Sequence, residues 1–175
     1  MERSAEETLT HDRVVLTRWR VEDLDALSRL VDESLERLKP WMPWAHTHSR
    51  ESIGQYFAQA EADWALGSAY NYAIREGAAD GPVLGSCSMM RRIGPGGWEI
   101  GYWIHEAGGG RGLVTMAAAA LTRQAFALPD TTHVQIHHDA RNRASGAVPE
   151  RLGFAVVERR QEPDRELVVW RTERQ

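Results

Sequence analysis

Between positions 20 and 38 apolar residues recur at helical spacing. Leu24, Leu27, Val31 and Leu38, with Leu30 and Leu35 beside them, make one stripe, as a helix packed on a core requires. Glu22 and Asp23 stand in its first turn, where the helix dipole favours acids, and Lys39-Pro40 ends it. A second helix is predicted over 51–64. Ser49 is its N-cap, Ile53, Tyr56, Phe57, Ala60 and Trp64 share one face, and Gly67 closes it. Elsewhere the period shortens to two. Strands are predicted over 13–19 and 70–75, then over 83–93, where Gly85, Cys87 and Met89 alternate with their neighbours. The turn Gly94-Pro95-Gly96-Gly97 leads into a strand over 98–104. A glycine loop and an Ala-rich helix over 113–128 follow, stopped by Pro129. The rest reads as a strand over 133–139, a helix over 142–152 stopped by Gly153, and strands over 154–159 and 166–171.

The predicted order is β-α-α-β-β-β-α-β-α-β-β. A meander of strands precedes the glycine loop, so the fold class is α+β (mixed α/β), with helices packed on a central sheet. It is not a Rossmann domain, whose glycine fingerprint follows the first strand of a βαβ repeat. It is not a Walker loop, because no Gly-Lys-Ser/Thr ends the turn. Residues 1–12 are polar and acidic and read as a flexible tail; 13–175 read as one domain, without repeat or linker.

The loop itself has chemistry. Gly108-Gly109-Gly110-Arg111-Gly112 joins an aromatic strand end to a helix. Glycine lets backbone approach a ligand closely. The free N–H groups of the first helical turn and its dipole favour a phosphate there, and Arg111 adds positive charge. The alternative is a plain connection before a buried helix.

Composition narrows the picture. With 175 residues a single domain can bury a real core. The net charge of −4 argues against a general nucleic-acid or membrane-surface binder. No apolar run approaches the roughly 20 residues of a membrane span, and the N-terminus lacks an apolar signal core. One cysteine, Cys87, cannot form an internal disulfide, which suits a reducing cytoplasm. Cys87 reads as a small core residue. His46 and His48 lack a third ligand in register, so no metal is expected. Trp41-Met42-Pro43-Trp44 is too rich in proline for a helix interior. Its two tryptophans form either a lid over a core or one wall of a substrate pocket.

Four pieces in this order resemble one family. They are Trp98-Glu99-Ile100-Gly101-Tyr102-Trp103-Ile104, the loop Gly110-Arg111-Gly112, Asn142-Arg143-Ala144-Ser145, and Arg151-Leu152-Gly153-Phe154. Together they resemble the GNAT N-acetyltransferases. Leu38 to Trp44 matches a segment of the RimJ/RimL branch, the ribosomal-protein N-terminal acetyltransferases. The resemblance covers roughly residues 13–172. It implies a central, mostly antiparallel sheet of about seven strands flanked by about four helices. It also implies transfer of acetyl from acetyl-CoA to a primary amine, either a protein N-terminus or a small molecule such as an antibiotic. The second hypothesis is a non-catalytic acyl-CoA-binding module on the same fold. A homodimer is compatible with either.

The resemblance also assigns positions. Ile104, Gly108, Gly109, Gly110, Arg111, Gly112 and Leu113 would hold the coenzyme, with Ala107 standing where the family has Gln or Arg. Asn142 would touch the pantetheine arm. Ser145 would face the sulfur and protonate the departing thiolate; otherwise the two merely start a helix. Gly146 and Pro149 are poor helix residues and predict a kinked or late-starting helix. An amine nucleophile needs a base. Glu99, between residues expected to be buried, is the first candidate, with a raised pKa; the alternative is a solvent-facing strand residue. His138 and His137 are next, pointing to opposite faces of the sheet. Trp41, Trp44, Glu99 and His138 would line the acceptor pocket.

Overall fold

Eight strands build one sheet, in the order β1-β2-β3-β4-β5-β6-β8-β7. The computed structural model describes residues 3–175. Strands β1 (Thr8–His11), β2 (Val14–Arg18), β3 (Ala69–Glu76), β4 (Val83–Met90) and β5 (Gly97–Ile104) form an antiparallel meander, each paired with the next. β6 (His133–Asp139) is parallel to β5, and β8 (Glu166–Glu173) and β7 (Ala155–Gln161) complete the sheet antiparallel. Helices α1 (Leu24–Leu38), α2 (Arg50–Leu66), α3 (Leu113–Ala127) and α4 (Arg143–Arg151) cover it. This is the expected α+β class with its four helices, plus one more strand.

The extra strand corrects the reading of 1–12 as a flexible tail. Met1 and Glu2 lie outside the described residues, but Thr8–His11 pairs with Val14–Arg18 and Leu9 faces Leu16. Asp12 takes φ 53 and turns the chain back. Leu9 and Ala5 are both buried in the core shared with α3. The Tyr72 hydroxyl donates to the Glu6 carbonyl at 2.7 Å. Four residues with a single leucine are too short to show alternation, so the pattern hid this strand.

Two apolar layers follow from the period-two pattern. Trp98, Ile100, Tyr102 and Ile104 of β5 pack with Leu113, Ala117 and Leu121 of α3. The other face carries Trp103, against Leu27 and Val31 of α1 and Ile53 and Phe57 of α2. Buried indoles keep their N–H groups paired, as burial demands: Trp98 donates to Thr131 Oγ1 at 3.1 Å, and Trp19 to Ser86 Oγ at 3.2 Å. Cys87 is a core residue of β4, and burial pushes its thiol well above the ordinary range. α2 is capped at Ser49, whose hydroxyl accepts from Ser52 N at 3.1 Å, and closed by Gly67 at φ 71. Among the described residues no helix is long and apolar enough to cross a membrane.

Candidate active site

The central feature of the sheet is a parting. β5 and β6 pair from Gly97–His133 to Ile100–Ile136 and no further. Beyond that point Gly101–Ile104 pairs only with β4, and His137–Asp139 only with β8. A wedge therefore opens between two neighbouring strands, and one edge of β5 has backbone groups without a strand partner. Unpaired backbone groups must find another acceptor or donor, so this edge suits an extended amide-bearing ligand.

The glycine turn lies at the end of β5. Gly110 and Gly112 adopt φ 75 and 74, where a side chain is strained. Gly108 packs so tightly that a Cβ would lie 2.9 Å from Ile104 Cδ1. Gly112 is the N-cap of α3 and supplies no side-chain cap, so the amides from Leu113 onward remain available to an anion. The Arg111 side chain does not join them. It bonds the Glu76 carboxylate and donates to the Ala107 carbonyl at 3.0 Å, while Arg13 donates to the Arg111 carbonyl at 2.6 Å. The expected phosphate charge is spent fastening the loop.

On the face covered by α1 and α2 stands Glu99, 6 % exposed. Burial alone would raise its pKa, but hydrogen bonds from His137 and Arg92 outweigh burial and hold it below the ordinary carboxylate range. This corrects the expected raised value. His137 Nδ1 lies 3.0 Å from Oε1, and Arg92 Nε donates to Oε2 at 2.9 Å. His137 sits one residue past the last β5–β6 pair, at the fork of the wedge. Its Nε2 is 2.8 Å from Gln135 Oε1. Trp103, farther along this face, has Trp44 at 6.2 Å between ring centroids. Trp44 is exposed and Trp41 half-buried, on a short 3-10 turn over Pro43–Thr47 and the residues before it. Only Trp44 is joined to the sheet by an aromatic contact.

His138 points to the opposite face, as alternation requires. Its Nδ1 donates to the Asp139 carbonyl at 2.8 Å and its Nε2 accepts from Trp170 Nε1 at 2.9 Å. With both nitrogens engaged it is a packing residue, which corrects its assignment to the acceptor pocket. It also explains Gly146: a Cβ there would lie 2.5 Å from His138 Cε1.

α4 starts on time. Asn142 is its N-cap, with its side-chain oxygen accepting from Ser145 N at 3.2 Å. The expected late start or displacement from Pro149 does not occur, because the ring sits within the helix without breaking it. Proline has no N–H, so the carbonyl four residues back, that of Ser145, lacks its helical partner. The Tyr102 hydroxyl donates to that carbonyl at 2.7 Å and accepts from Ser145 Oγ at 3.4 Å. Tyr102 thus spans from β5 to α4. Sequence reasoning missed Tyr102, Arg92 and Gln135. The signals were present: Tyr102 continues the period-two face of Trp98 and Ile100, and Pro149 stands four residues after Ser145.

The two histidines beside Trp44 contact groups outside the site. His46 Nε2 meets the Lys39 carbonyl and His48 Nε2 meets Asp32, at 2.9 and 2.8 Å. Among the described residues no three His, Cys, Asp or Glu side chains cluster as a metal site. A hollow of about 330 Å³ near Arg18, Arg20 and Arg75 carries its own acids: Arg18 and Arg20 pair with Glu7, and Arg75 with Asp23.

A strand that parts from its parallel neighbour thus ends in a glycine turn at an uncapped helix. The family model described as "Acetyltransferase (GNAT) domain" matches residues 13–155. The chain belongs to the GNAT acetyltransferase family. This acetyltransferase is 32% identical over 135 residues to "Putative ribosomal N-acetyltransferase YdaF" of Bacillus subtilis (strain 168), across 75% of this chain and 72% of that one. Its fold superposes on a RimL ribosomal L7/L12 alpha-N-protein acetyltransferase in complex with coenzyme A, with a TM-score of 0.87 at 20% identity, covering 95% and 98% of the two chains. A Microcin C7 self immunity acetyltransferase, MccE, in complex with acetyl-CoA and AMP, gives 0.83 at 17% identity, covering 93% of each. As a GNAT acetyltransferase the protein uses acetyl-CoA as co-substrate.

Proposed function

We propose that this acetyltransferase acetylates the α-amine of a protein N-terminus. The similarity to a ribosomal N-acetyltransferase and to RimL along most of the chain supports that acceptor class. The observation that carries the reading is the fork between β5 and β6, with the Glu99–His137 pair at its base. A small-molecule amine is the second reading, favoured by the likeness to MccE.

Acetyl-CoA supplies the acyl group as a thioester. Gly108, Gly109, Gly110 and Gly112 with the first amides of α3 would hold its pyrophosphate, and the free edge of β5 up to Ile104 and the Asn142 side chain its pantetheine. The amine nitrogen attacks the carbonyl carbon, a C–N bond forms, and the C–S bond breaks. A backbone amide of β5 would hold the carbonyl oxygen as charge develops. The amine's extra proton leaves through water to the Glu99–His137 pair. Glu99 keeps its charge and is a weak base by itself. Its value is to take the Nδ1–H and leave Nε2 as acceptor, which a turn of the Gln135 amide permits. Ser145 Oγ–H would hydrogen-bond the departing sulfur and relay to it, through water, the proton taken up by the Glu99–His137 pair, so that the sulfur leaves as thiol and the serine ends as it began. Trp44 would form one wall for the acceptor.

Release of free thiol from acetyl-CoA should be measured with peptides bearing free N-termini, the same peptides N-terminally blocked, and a panel of small amines. Turnover confined to free N-termini supports the α-amine. Turnover confined to small amines moves the function to the second reading. Coenzyme binding without turnover on any amine would make the protein an acyl-CoA-binding module.

A further inference from the structure

The most unusual residue of the site is Pro149, in the last turn of α4 and four residues after Ser145. A helix normally satisfies the Ser145 carbonyl with the N–H of residue 149. Proline has none, and its ring pushes that carbonyl outward. A half-buried carbonyl without a partner is costly. Here the partner comes from another element: the Tyr102 hydroxyl reaches across from β5 and donates at 2.7 Å. Tyr102 lies in the stretch of β5 that has left β6, so the bond closes the open side of the fork onto the first turn of α4. Burial pushes the Tyr102 phenol up to about 12, with the Ser145 hydrogen bond opposing, so it remains a donor at working pH.

The rest of that turn is equally fixed. Gly146 admits His138 against the helix. His138 is held in turn by Trp170 and the Asp139 carbonyl. Asn142 caps the Ser145 amide. The Ser145 backbone is thus pinned at its N–H by Asn142 and at its C=O by Tyr102. Its hydroxyl makes only a long contact, 3.4 Å to the Tyr102 oxygen, and is free to turn its hydrogen elsewhere.

We propose that Tyr102 is a positioning residue for Ser145, acting through the carbonyl that Pro149 leaves open. Tyr102 and Pro149 work as one device: the proline frees the acceptor and the phenol uses it to fix the serine hydroxyl at the fork. The proposal rests on the reading of Ser145 as the donor to the departing sulfur. Because a displacement of about 1 Å in a catalytic group can cost up to about a hundredfold in rate, the device belongs to the reaction as well as to the fold.

The test is a cycle of Tyr102→Phe, Pro149→Ala and the double variant, each assayed for melting temperature and for kcat and KM. Tyr102→Phe orphans the carbonyl. It should lower the melting temperature and reduce kcat about tenfold while KM for acetyl-CoA stays within about twofold. Adding Pro149→Ala returns an N–H to the helix at the needed place. The double variant should regain both the melting temperature and kcat, to within about twofold of Pro149→Ala alone. The kcat deficit of Tyr102→Phe should also shrink with an acetyl thioester of a more acidic thiol. Unchanged kcat in folded Tyr102→Phe would overturn the proposal. So would recovery of melting temperature without recovery of kcat, which would place the phenol itself on the reacting atoms. Failure of the functional reading is distinct, since it shows in the wild-type protein as no thiol release with any amine.

Discussion

Replacing Glu99 by Gln tests the buried ion pair and the chemistry built on it. The carboxylate is buried and accepts from Arg92 and His137, one at each oxygen. Glutamine keeps the shape but loses the charge, and its NH2 then faces a donor. Breaking a buried pair costs about 3–5 kcal/mol. The Arg92 side chain is 61% exposed and recovers water, so the loss should be smaller, about 2 kcal/mol. For a chain of this length that is a fall of about 4–8 °C in melting temperature near pH 7. The pH dependence has a definite sign. The folded-state pKa lies below the unfolded value of about 4.3, so the stabilisation is complete above the unfolded value and is lost as pH falls through the folded one. Melts of both proteins from pH 8 to pH 3 should show a constant gap down to about pH 5 that closes in acid. At neutral pH, kcat should drop on the order of a hundredfold. Equal melting temperatures at pH 7, or a gap that persists unchanged at pH 3, would refute the ion-pair reasoning. Wild-type kcat in a folded variant would refute the role in proton removal.

Two further outcomes are expected. Gly112→Val places a β-branched residue at φ 74 and should weaken acetyl-CoA binding at least about tenfold; calorimetry showing unchanged affinity in the folded variant would reject the glycine turn as the pyrophosphate site. Trp44→Ala should raise the acceptor's KM and leave that of acetyl-CoA nearly unchanged; a variant that lost only thermal stability would make Trp44 a packing residue over Trp103.

The architecture was legible because long periodic segments, caps and turn glycines all spoke for the same elements. α2 is the clearest case, with Ser49 opening it and Gly67 closing it. β1 was illegible because its one buried leucine needs Leu16 opposite and α3 above to acquire meaning. The glycine turn could be read from residues 108–112, but the fate of Arg111 could not, because Glu76 lies 35 residues away in sequence. Glu99 showed the same limit more sharply. Its apolar neighbours were visible and its cationic partners were not, so burial was anticipated and the direction of the pKa shift was reversed. Pro149 was visible as an anomaly. Its physical answer, a phenol from another strand, required the fold.

The Arg111 contacts bear on how this protein meets its coenzyme. Three consecutive glycines form a segment with large conformational freedom, and ordering it on binding opposes affinity. Here the Arg111 guanidinium grips Glu76 and the Ala107 carbonyl, and Arg13 grips the carbonyl of Arg111 itself. The loop is thereby moored to the ends of β2 and β3 before any anion arrives. At the proposed pyrophosphate site, a charge that would have added attraction instead reduces the disorder that binding must remove, so affinity would be gained by preorganisation rather than by contact. Ala107, where the family has a polar side chain, fits the same economy, since it contributes its backbone oxygen as the mooring point.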